Sequence, residues 1–462
     1  MQPVLLIDIG STYTKITAVD LIEPRVLGTA AAHTTVTTDV AHGLNQALAD
    51  LALQIGALEY DYRLACSSAA GGLRMVACGL TPSLTEKAAR MACLGAGAKV
   101  IRSFSYKLTE EDVAEIAALA PDILLLAGGT DGGNEEVITH NASMLASCEA
   151  DFPIVLAGNR NAAAACKKLL DGRAVYQTEN VMPRLDELNA KPVQEQVRAL
   201  FLERIIHAKG LGPVADWMTA PLLPTPAAVL VALELLASGT DDTPGIGELV
   251  AVDLGGATTD VYSMAHGDPT MADTVLRGIP EPFAKRTVEG DIGMRYSVHG
   301  VVEAVGIDRI ARGSGLPRER VEELVTHLST HPDTLPDTPE LAALDRTLAS
   351  AAVMTAVARH AGSLETVYTS QGPTLVQTGK DLCNVAHLIV TGGAIIHSPW
   401  SEDVAKSALF DTKSPNSLRP KEADTYIDQR YVLASMGLLS QVFPEAALTL
   451  MKKEIRKHGT EK

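Results

Sequence analysis

The sequence predicts an α/β protein built from two homologous halves, and three observations carry that prediction. A strand, turn, strand phrase occurs twice, as VLLIDIGSTYTKIT at 4–17 and as LVAVDLGGATTDVY at 249–262. Segment 63–177 alternates short apolar runs with helix-length runs, the pattern of βαβ units. A stretch rich in Gly, Asp and Pro, SGTDDTPGIGE at 238–248, stands just before the second copy and reads as a loop.

The two copies align without a gap: Asp8 pairs with Asp253, Gly10 with Gly255, Ser11 with Gly256 and Thr14 with Thr259. Each reads as a hairpin whose tight turn is polar and carries glycine. The halves are expected at 1–245 and 246–462. In the first, strands are expected at 64–67, 99–103, 123–127, 154–157 and 174–176, with helices near 84–94, 109–119, 135–147 and 160–170. Several of these strands are almost wholly apolar, as when both sheet faces are covered. Thr225 is placed as the N-cap and Pro226 as the first residue of a helix entering the junction. In the second half, 300–362 reads as mainly helical around a loop at 331–339, and the basic tail 452–462 as frayed.

Composition narrows the function classes. The 462 residues carry a formal charge of −17, with 46% hydrophobic and 4% aromatic residues. That excess of negative charge argues against unaided binding to nucleic acid or an anionic membrane, which needs clustered Lys and Arg. The six cysteines, Cys66, Cys78, Cys93, Cys148, Cys166 and Cys383, form no C-x-x-C pair and read as free thiols of a cytoplasmic protein. No signal peptide is expected, since the first apolar run lacks a basic flank and is broken at Asp8. The uncharged stretch 217–233 is interrupted by Pro221, Pro224 and Pro226 and reads as a loop feeding a buried helix.

A turn with glycine where a ligand approaches closely, and with Ser/Thr hydroxyls nearby, offers several donors to one anion. An aspartate at the head of such a turn repels a phosphate unless a divalent cation lies between them. Mg²⁺ does this through its retained waters, so Asp8 and Asp253 make sense together with Mg²⁺ and a polyphosphate. LIVTGGAII at 388–396 adds a third element, an apolar strand entering paired glycines. Gly392 and Gly393 there suit either close packing against a purine face or a plain turn.

These residues resemble a known superfamily. DIGSTYTK, PTPAAVLVALELLASG leading into VAVDLGGATTDVY, and VTGGA are similar to the phosphate-1, interdomain-helix, phosphate-2 and adenosine motifs of the actin, heat-shock-chaperone and sugar-kinase (ASKHA) ATPases. RTVEGDIGMR at 286–295 resembles the stretch after phosphate-2 in the chaperone branch. More narrowly, SSAAGGLRMVACGLTPSLTEKAAR (67–90), LLLAGGTDGGN (124–134), KRTVEGDIGMRYS (285–297) and DQRYVLASMGLL (428–439) resemble blocks of the methylaspartate mutase accessory proteins, also called MutL-type.

The resemblance implies duplicated ribonuclease-H-like, actin-like ATPase lobes around a nucleotide cleft, with ATP/ADP and Mg²⁺ as ligands. It implies an accessory or reactivating factor for an adenosylcobalamin-dependent glutamate mutase or a related carbon-skeleton mutase, with weak ATP hydrolysis. Carried over position by position, Asp8 and Asp253 hold Mg²⁺ through water and serve catalysis. Gly10, Ser11, Thr12, Thr14, Gly255, Gly256, Thr258 and Thr259 bind phosphates, and Gly392 and Gly393 the adenosine. Lys15 either neutralises phosphate or points to solvent from its strand. Asp260 is expected to orient the turn or ion. Asp131 and Asp291 each read either as water-orienting or as loop residues, with capping of the helix near Asn134 the alternative for Asp131.

Other motifs fail. Gly379 and Lys380 are followed by Asp381, so there is no P-loop, and Gly95 and Gly97 lack the third glycine of a dinucleotide fingerprint. His327 and His331 are cut off by Pro332, and Met294, Met354 and Met436 read as core. The rival readings are a small-molecule kinase on the same fold and a nucleotide-binding scaffold without turnover. Partner specificity is expected in 63–177, no nucleic-acid or membrane partner is expected, and homo-oligomerisation is left open.

Overall fold

The computed structural model describes residues 1–10, 13–34, 40–68, 73–205, 211–370 and 372–457. The chain forms two compact units. The first gathers Met1–Leu235, Gly278–Pro280 and Val432–Leu450, and the second holds Leu236–Arg277, Glu281–Tyr431 and the stretch from Met451. Two of the crossings between units fall at Leu235/Leu236, inside helix Thr225–Ser238, and at Tyr431/Val432, where helix Val432–Ser440 begins.

In the first unit, β1 (Pro3–Ile9), β2 (Tyr13–Asp20) and β3 (Arg25–His33) form an antiparallel meander, and β4 (Tyr62–Ser67) runs parallel to β1. Val4, Leu5, Leu6, Ile7 and Ile9 are fully buried, which explains the nearly continuous apolar run of β1. Helix Val40–Ile55 packs on β2 and β3, and helix Val432–Ser440 packs on β1 and β4. The chain then builds a separate sheet from β5 (Arg74–Gly79), β6 (Lys99–Ser105), β7 (Ile123–Leu126), β8 (Ile154–Leu156) and β9 (Val175–Gln177). All its pairings are parallel and its order is β6-β5-β7-β8-β9, a doubly wound α/β sheet. Helices Thr85–Gly95, Glu110–Leu119, Glu136–Ala146 and Ala163–Leu169 supply the crossovers. The short strand β10 (Leu223–Pro224) returns to pair in parallel with β4, giving the order β10-β4-β1-β2-β3.

The strand expected at 64–67 exists but belongs to the first sheet, beside β1, rather than to the βαβ series. β5, the strand that opens that series and lies second in its sheet, follows a glycine-bearing stretch and is not among the expected strands. Its burial on both faces, with Met75, Val76, Ala77 and Cys78 fully covered, leaves no alternation to detect.

The second unit repeats the first arrangement. β11 (Leu249–Leu254) pairs antiparallel with β12 (Thr259–Met264). After β13 (Thr274–Arg277), strand β14 (Ala284–Glu289) completes the meander on β12. β15 (Ser363–Thr369) and β16 (Gly372–Thr378) form a three-stranded sheet with β13, while β17 (His387–Thr391), β18 (Asp424–Ile427) and β19 (Arg456–Lys457) extend the main one. β17 is parallel to β11, and β18 is parallel to β17. Both units therefore carry the ribonuclease-H-like pattern of a three-stranded meander continued by parallel strands beyond its first strand.

Helices Val298–Val305, Ile307–Ser314, Arg318–Thr330 and Pro339–His360 fill 298–360, around a loop that includes His331 and Thr334. Pro339–His360 is the one described helix long and apolar enough to cross a membrane, but half of its apolar window is buried. Leu344, Leu348, Ala352, Val353, Ala356 and Val357 join the core of the second unit. The tail differs from expectation: helix Pro444–Glu454 carries Lys452 and Lys453 in its last turn, and 458–462 lie outside the described residues.

Candidate functional site

The first turn is closed by a hydrogen bond from Gly10 N to the Tyr13 carbonyl at 3.0 Å. A Cβ on Gly10 would stand 2.7 Å from that same oxygen, so the turn requires glycine there. Ser11 and Thr12 lie outside the described residues. Asp8 occupies the last turn-facing position of β1, in register with Lys15 on β2 and with Cys66 on β4. Its Oδ1 accepts a hydrogen bond from Thr225 Oγ1 at 2.7 Å and from the Cys66 thiol at 3.4 Å. Burial, reinforced by the Asp8 carboxylate, pushes the Cys66 thiol well up, which makes it a donor rather than a nucleophile. Thr14 is fully buried and shares a hydrogen bond with the Thr34 hydroxyl at 3.0 Å, so it shapes the hairpin from inside.

Thr225 departs from expectation. It is the first residue of helix Thr225–Ser238, and its hydroxyl goes to Asp8 instead of capping its own helix. The parallel strand β10 ends next to β4, which carries Thr225 to the carboxylate.

The second turn repeats the first. Gly255 N donates to the Thr258 carbonyl at 2.9 Å, and a Cβ on Gly255 would lie 2.9 Å from that oxygen. Asp253 is in register with Asp260 on β12 and with Thr391 on β17, as Asp8 is with Lys15 and Cys66. Thr259, like Thr14, is fully buried, and its hydroxyl donates to the Ile292 carbonyl at 3.0 Å. The segment after β14 braces the turn: Met294 N donates to the Gly255 carbonyl at 3.1 Å, and Arg295 N and Tyr296 N donate to the Gly256 carbonyl at 2.8 and 3.0 Å. Gly256 differs from Gly255, because a Cβ there would meet nothing closer than 3.9 Å.

Asp260 is held by Arg286, whose Nη2 lies 2.6 Å from Asp260 Oδ1, and Thr258 Oγ1 donates to Asp260 Oδ2 at 3.4 Å. Burial opposes the Arg286 charge, but Asp260 beside it more than offsets this and raises the guanidinium pKa. At the end of β17, Gly392 has φ +106°, and a Cβ would lie 2.2 Å from the Leu254 carbonyl oxygen, so only glycine fits. Gly393 opens the short helix Gly393–Ile396, with the Tyr431 hydroxyl 3.4 Å from where its Cβ would be. Burial, with Asp253 and Asp428 adding to it, pushes the Tyr431 phenol up, so it stays protonated at neutral pH. Thr391 Oγ1 is buried and, among the described residues, has no hydrogen-bond partner.

Within the first unit the chain thus gathers Asp8, Gly10, Thr14 and Lys15, and within the second Asp253, Gly255, Gly256, Thr258, Thr259, Gly392 and Gly393. Sequence reasoning gave no part in the turns to Cys66, Thr225 or Thr391, which strand register brings beside them. Asp131 lies elsewhere, in the loop after β7, where it accepts hydrogen bonds from Asn180 Nδ2 at 2.9 Å and Arg160 N at 3.1 Å. It caps no helix; Asn134 Oδ1 takes that part by accepting from Val137 N at 3.1 Å. Asp291 pairs with Arg359 at 2.9 Å. The His327 and His331 rings stack on each other with centroids 4.6 Å apart.

Among the described residues no group of three or more His, Cys, Asp or Glu side chains converges as a metal site. Mg²⁺ does not need one, since it is held by one or two carboxylates together with waters and phosphate oxygens. Asp8 fits that donor set, being pinned through one oxygen by Thr225 and Cys66.

A family model described as MutL protein matches residues 4–455. Protein MutL of Clostridium tetanomorphum is 44% identical over 461 residues, covering 99% of this chain and all of that relative. Among solved structures, the activator of the 2-hydroxyisocaproyl-CoA dehydratase from Clostridium difficile with bound ADPNP is 10% identical, covers 99% of this chain and 100% of its own, and has a TM-score of 0.34. A diol dehydratase-reactivating factor in nucleotide-free form is 11% identical, with 96% and 99% covered and a TM-score of 0.33. Likenesses that weak say nothing of ligand or activity, whereas a family-model match over residues 4–455 and 44% identity along the whole clostridial relative do decide membership. This chain belongs to the MutL protein family.

Proposed function

We propose that the chain is an ATP-dependent, Mg²⁺-requiring accessory factor that reactivates an adenosylcobalamin-dependent mutase, glutamate mutase or a related carbon-skeleton mutase, in the cytoplasm. The observation that carries the nucleotide part is the duplicated turn. Twice, a central-strand aspartate leads into a glycine whose N–H closes the same turn, at 3.0 Å for Gly10 and 2.9 Å for Gly255. The mutase part rests on the family blocks, 67–90 and 428–439 among them, and on membership of the family.

In this reading the backbone of the two turns and the Thr258 hydroxyl bind phosphate oxygens. Gly392 and Gly393 admit the nucleoside, and Asp8 and Asp253 orient water. Asp8 and Asp253 would hold Mg²⁺, which would neutralise phosphate charge. Lys15, in register with Asp8, adds a cation on the same side of the first hairpin. Remodelling a partner requires that ATP and ADP states differ in their contacts, since a ligand that binds both states equally shifts nothing.

The parallel sheet β5–β9 is the part of the first unit that the turns do not need, and it is proposed as the mutase-recognition region. An open groove of about 1150 Å³ lies along its carboxyl edge, with Asp131, Arg160, Thr178, Asn180 and Glu195 among its walls. The test is calorimetric titration of ATP with and without Mg²⁺, followed by phosphate release in the presence of the mutase. Mg²⁺-dependent binding and mutase-stimulated release without a phosphorylated acceptor are expected; a phosphorylated small molecule would favour the kinase reading.

A further inference from the structure

We propose that Arg295 is the positioning residue of the second turn, anchoring the backbone that aims the turn's free N–H groups at phosphate. This rests on the reading that the second turn binds nucleotide phosphate.

The peptides of the turn supply the first part of the argument. The Gly255 carbonyl accepts from Met294 N at 3.1 Å, and the Gly256 carbonyl accepts from Arg295 N at 2.8 Å and Tyr296 N at 3.0 Å. Both peptide units are trans, so the N–H of each points away from its carbonyl. The N–H groups of Gly256 and Ala257 therefore face away from the 294–296 segment, and among the described residues neither has an acceptor. Successive free N–H groups in a turn are the donors that an anion needs. The bracing segment leaves no slack behind them. A Cβ on Gly293 would stand 2.5 Å from the Ala257 carbonyl carbon and 2.7 Å from the Gly256 carbonyl oxygen.

The side chain of Arg295 anchors that segment. Its guanidinium makes a two-pronged pair with Asp345, from Nη1 to Oδ1 at 3.2 Å and from Nη2 to Oδ2 at 2.8 Å. Nε and Nη2 also donate to the Thr334 carbonyl at 3.3 and 3.0 Å, and Nη1 donates to the Met294 carbonyl at 2.8 Å. All three nitrogens are thus committed within the chain, so Arg295 acts through the backbone it carries and not by touching the ligand. Its anchors come from the loop before helix Pro339–His360 and from that helix itself.

The energetics favour a positional role over a stabilising one. The Arg295 and Asp345 side chains are only 13% and 12% exposed, so both charges have given up most of their water. Burial raises the Asp345 carboxyl above its ordinary range even though Arg295 pulls it down. An apolar pair of similar volume often matches or exceeds the stability of such a buried ion pair. It cannot supply direction. The planar fork fixes Arg295 against Asp345 and Thr334 at once, and with it the amides that hold the turn.

The experiment uses the full chain carrying Arg295→Met together with Asp345→Leu, which leaves no buried charge unpaired, and a second variant with Arg295→Lys alone. Melting temperature is recorded, and calorimetry is run with Mg·ATP and with adenosine, which has no phosphate to meet the turn. The double variant is expected to melt no lower than the wild type, to bind Mg·ATP at least about tenfold more weakly, and to bind adenosine unchanged. Arg295→Lys keeps a charge but loses the fork, and is expected to show the same selective loss to a smaller degree. Wild-type affinity for Mg·ATP in the double variant overturns the proposal. So does an equal loss for both ligands, which marks a purely structural pair. Should the double variant melt early, the ratio of the two affinities in Arg295→Lys decides in the same way. If the wild type itself binds no Mg·ATP, it is the nucleotide reading that fails, and this inference falls with it.

Discussion

Thr225 Oγ1 donates a 2.7 Å hydrogen bond to Asp8 Oδ1 across 217 residues of sequence. With the Cys66 thiol on the same oxygen, it fixes one side of the carboxylate and sets the direction of the other. Replacing Thr225 by Val keeps the shape and removes the donor. A hydrogen bond to a charged group is worth about 1.5–3 kcal/mol, so Thr225→Val is expected to weaken Mg·ATP binding at least tenfold, while Thr225→Ser retains it. Calorimetric affinities of the two variants check this, and equal affinities would contradict it.

Gly256 separates ligand approach from fold stability. A Cβ there meets only ordinary contacts, at 3.9 Å from Arg295 and Tyr296, so Gly256→Ala is expected to melt within about 0.5 kcal/mol of the wild type. If phosphate oxygens approach the backbone at that residue, the same methyl group blocks them, and nucleotide affinity falls by tenfold or more. Gly392→Ala is the contrasting control. With φ +106° and a Leu254 oxygen 2.2 Å from the new atom, it is expected to destabilise the second unit outright. A thermal melt and a nucleotide titration on each variant distinguish the two behaviours.

The contact between the helices headed by Thr225 and Val432 has no room for a side chain at Gly437, where a Cβ would lie 1.9 Å from the Ala228 oxygen. Gly437→Ala must push the helices apart, and overpacking of this kind costs about 1–3 kcal/mol. A lower denaturation midpoint for the first unit is expected, and an unchanged midpoint would contradict the packing described.

Lys380 gives the second unit a pH signature. Its ammonium is buried with Nζ donating to the Ala265 and Phe283 carbonyls, both at 2.7 Å, and burial together with the nearby Lys285 brings its pKa down to about 7. An unfolded lysine titrates near about 10.4. Above that pH both states are neutral and nothing is lost. Between there and pH 7 the unfolded chain holds a proton that the folded one does not, so stability falls as pH falls, by up to about 1.4 kcal/mol per unit. Below pH 7 this slope ends. His360, kept neutral chiefly by burial, adds a loss of the same sign below about pH 6.5. Subtracting the pH–melting curve of Lys380→Met from that of the wild type is expected to leave a slope between pH 7 and 10, and a flat difference would refute it.

What the sequence disclosed and what it hid follow from the range of the interactions. The hairpins at Gly10 and Gly255 were readable because their residues are neighbours and occur twice. The apolar runs of β1, β7, β8 and β11 stood out for the same local reason. Thr225 looked like a helix cap because its obligation to Asp8 arises only when β10 pairs with β4. β4 itself looked like the start of the βαβ series, because nothing local says that its partner is β1, 58 residues back. Thr391 lies inside VTGGA and Tyr431 inside DQRYVLASMGLL, but only strand register pairs Thr391 with Asp253, and only the backbone shows the positive φ of Tyr431.

The central claim is that both duplicated turns serve one Mg²⁺-dependent nucleotide. It is tested most directly by calorimetric titration of ATP into the full chain, with and without Mg²⁺, for the wild type, Asp8→Ala and Asp253→Ala. Stoichiometric binding by the wild type only when Mg²⁺ is present, lost in each single variant, is the predicted result. Wild-type binding that ignores Mg²⁺, or that survives the loss of either aspartate, would contradict it.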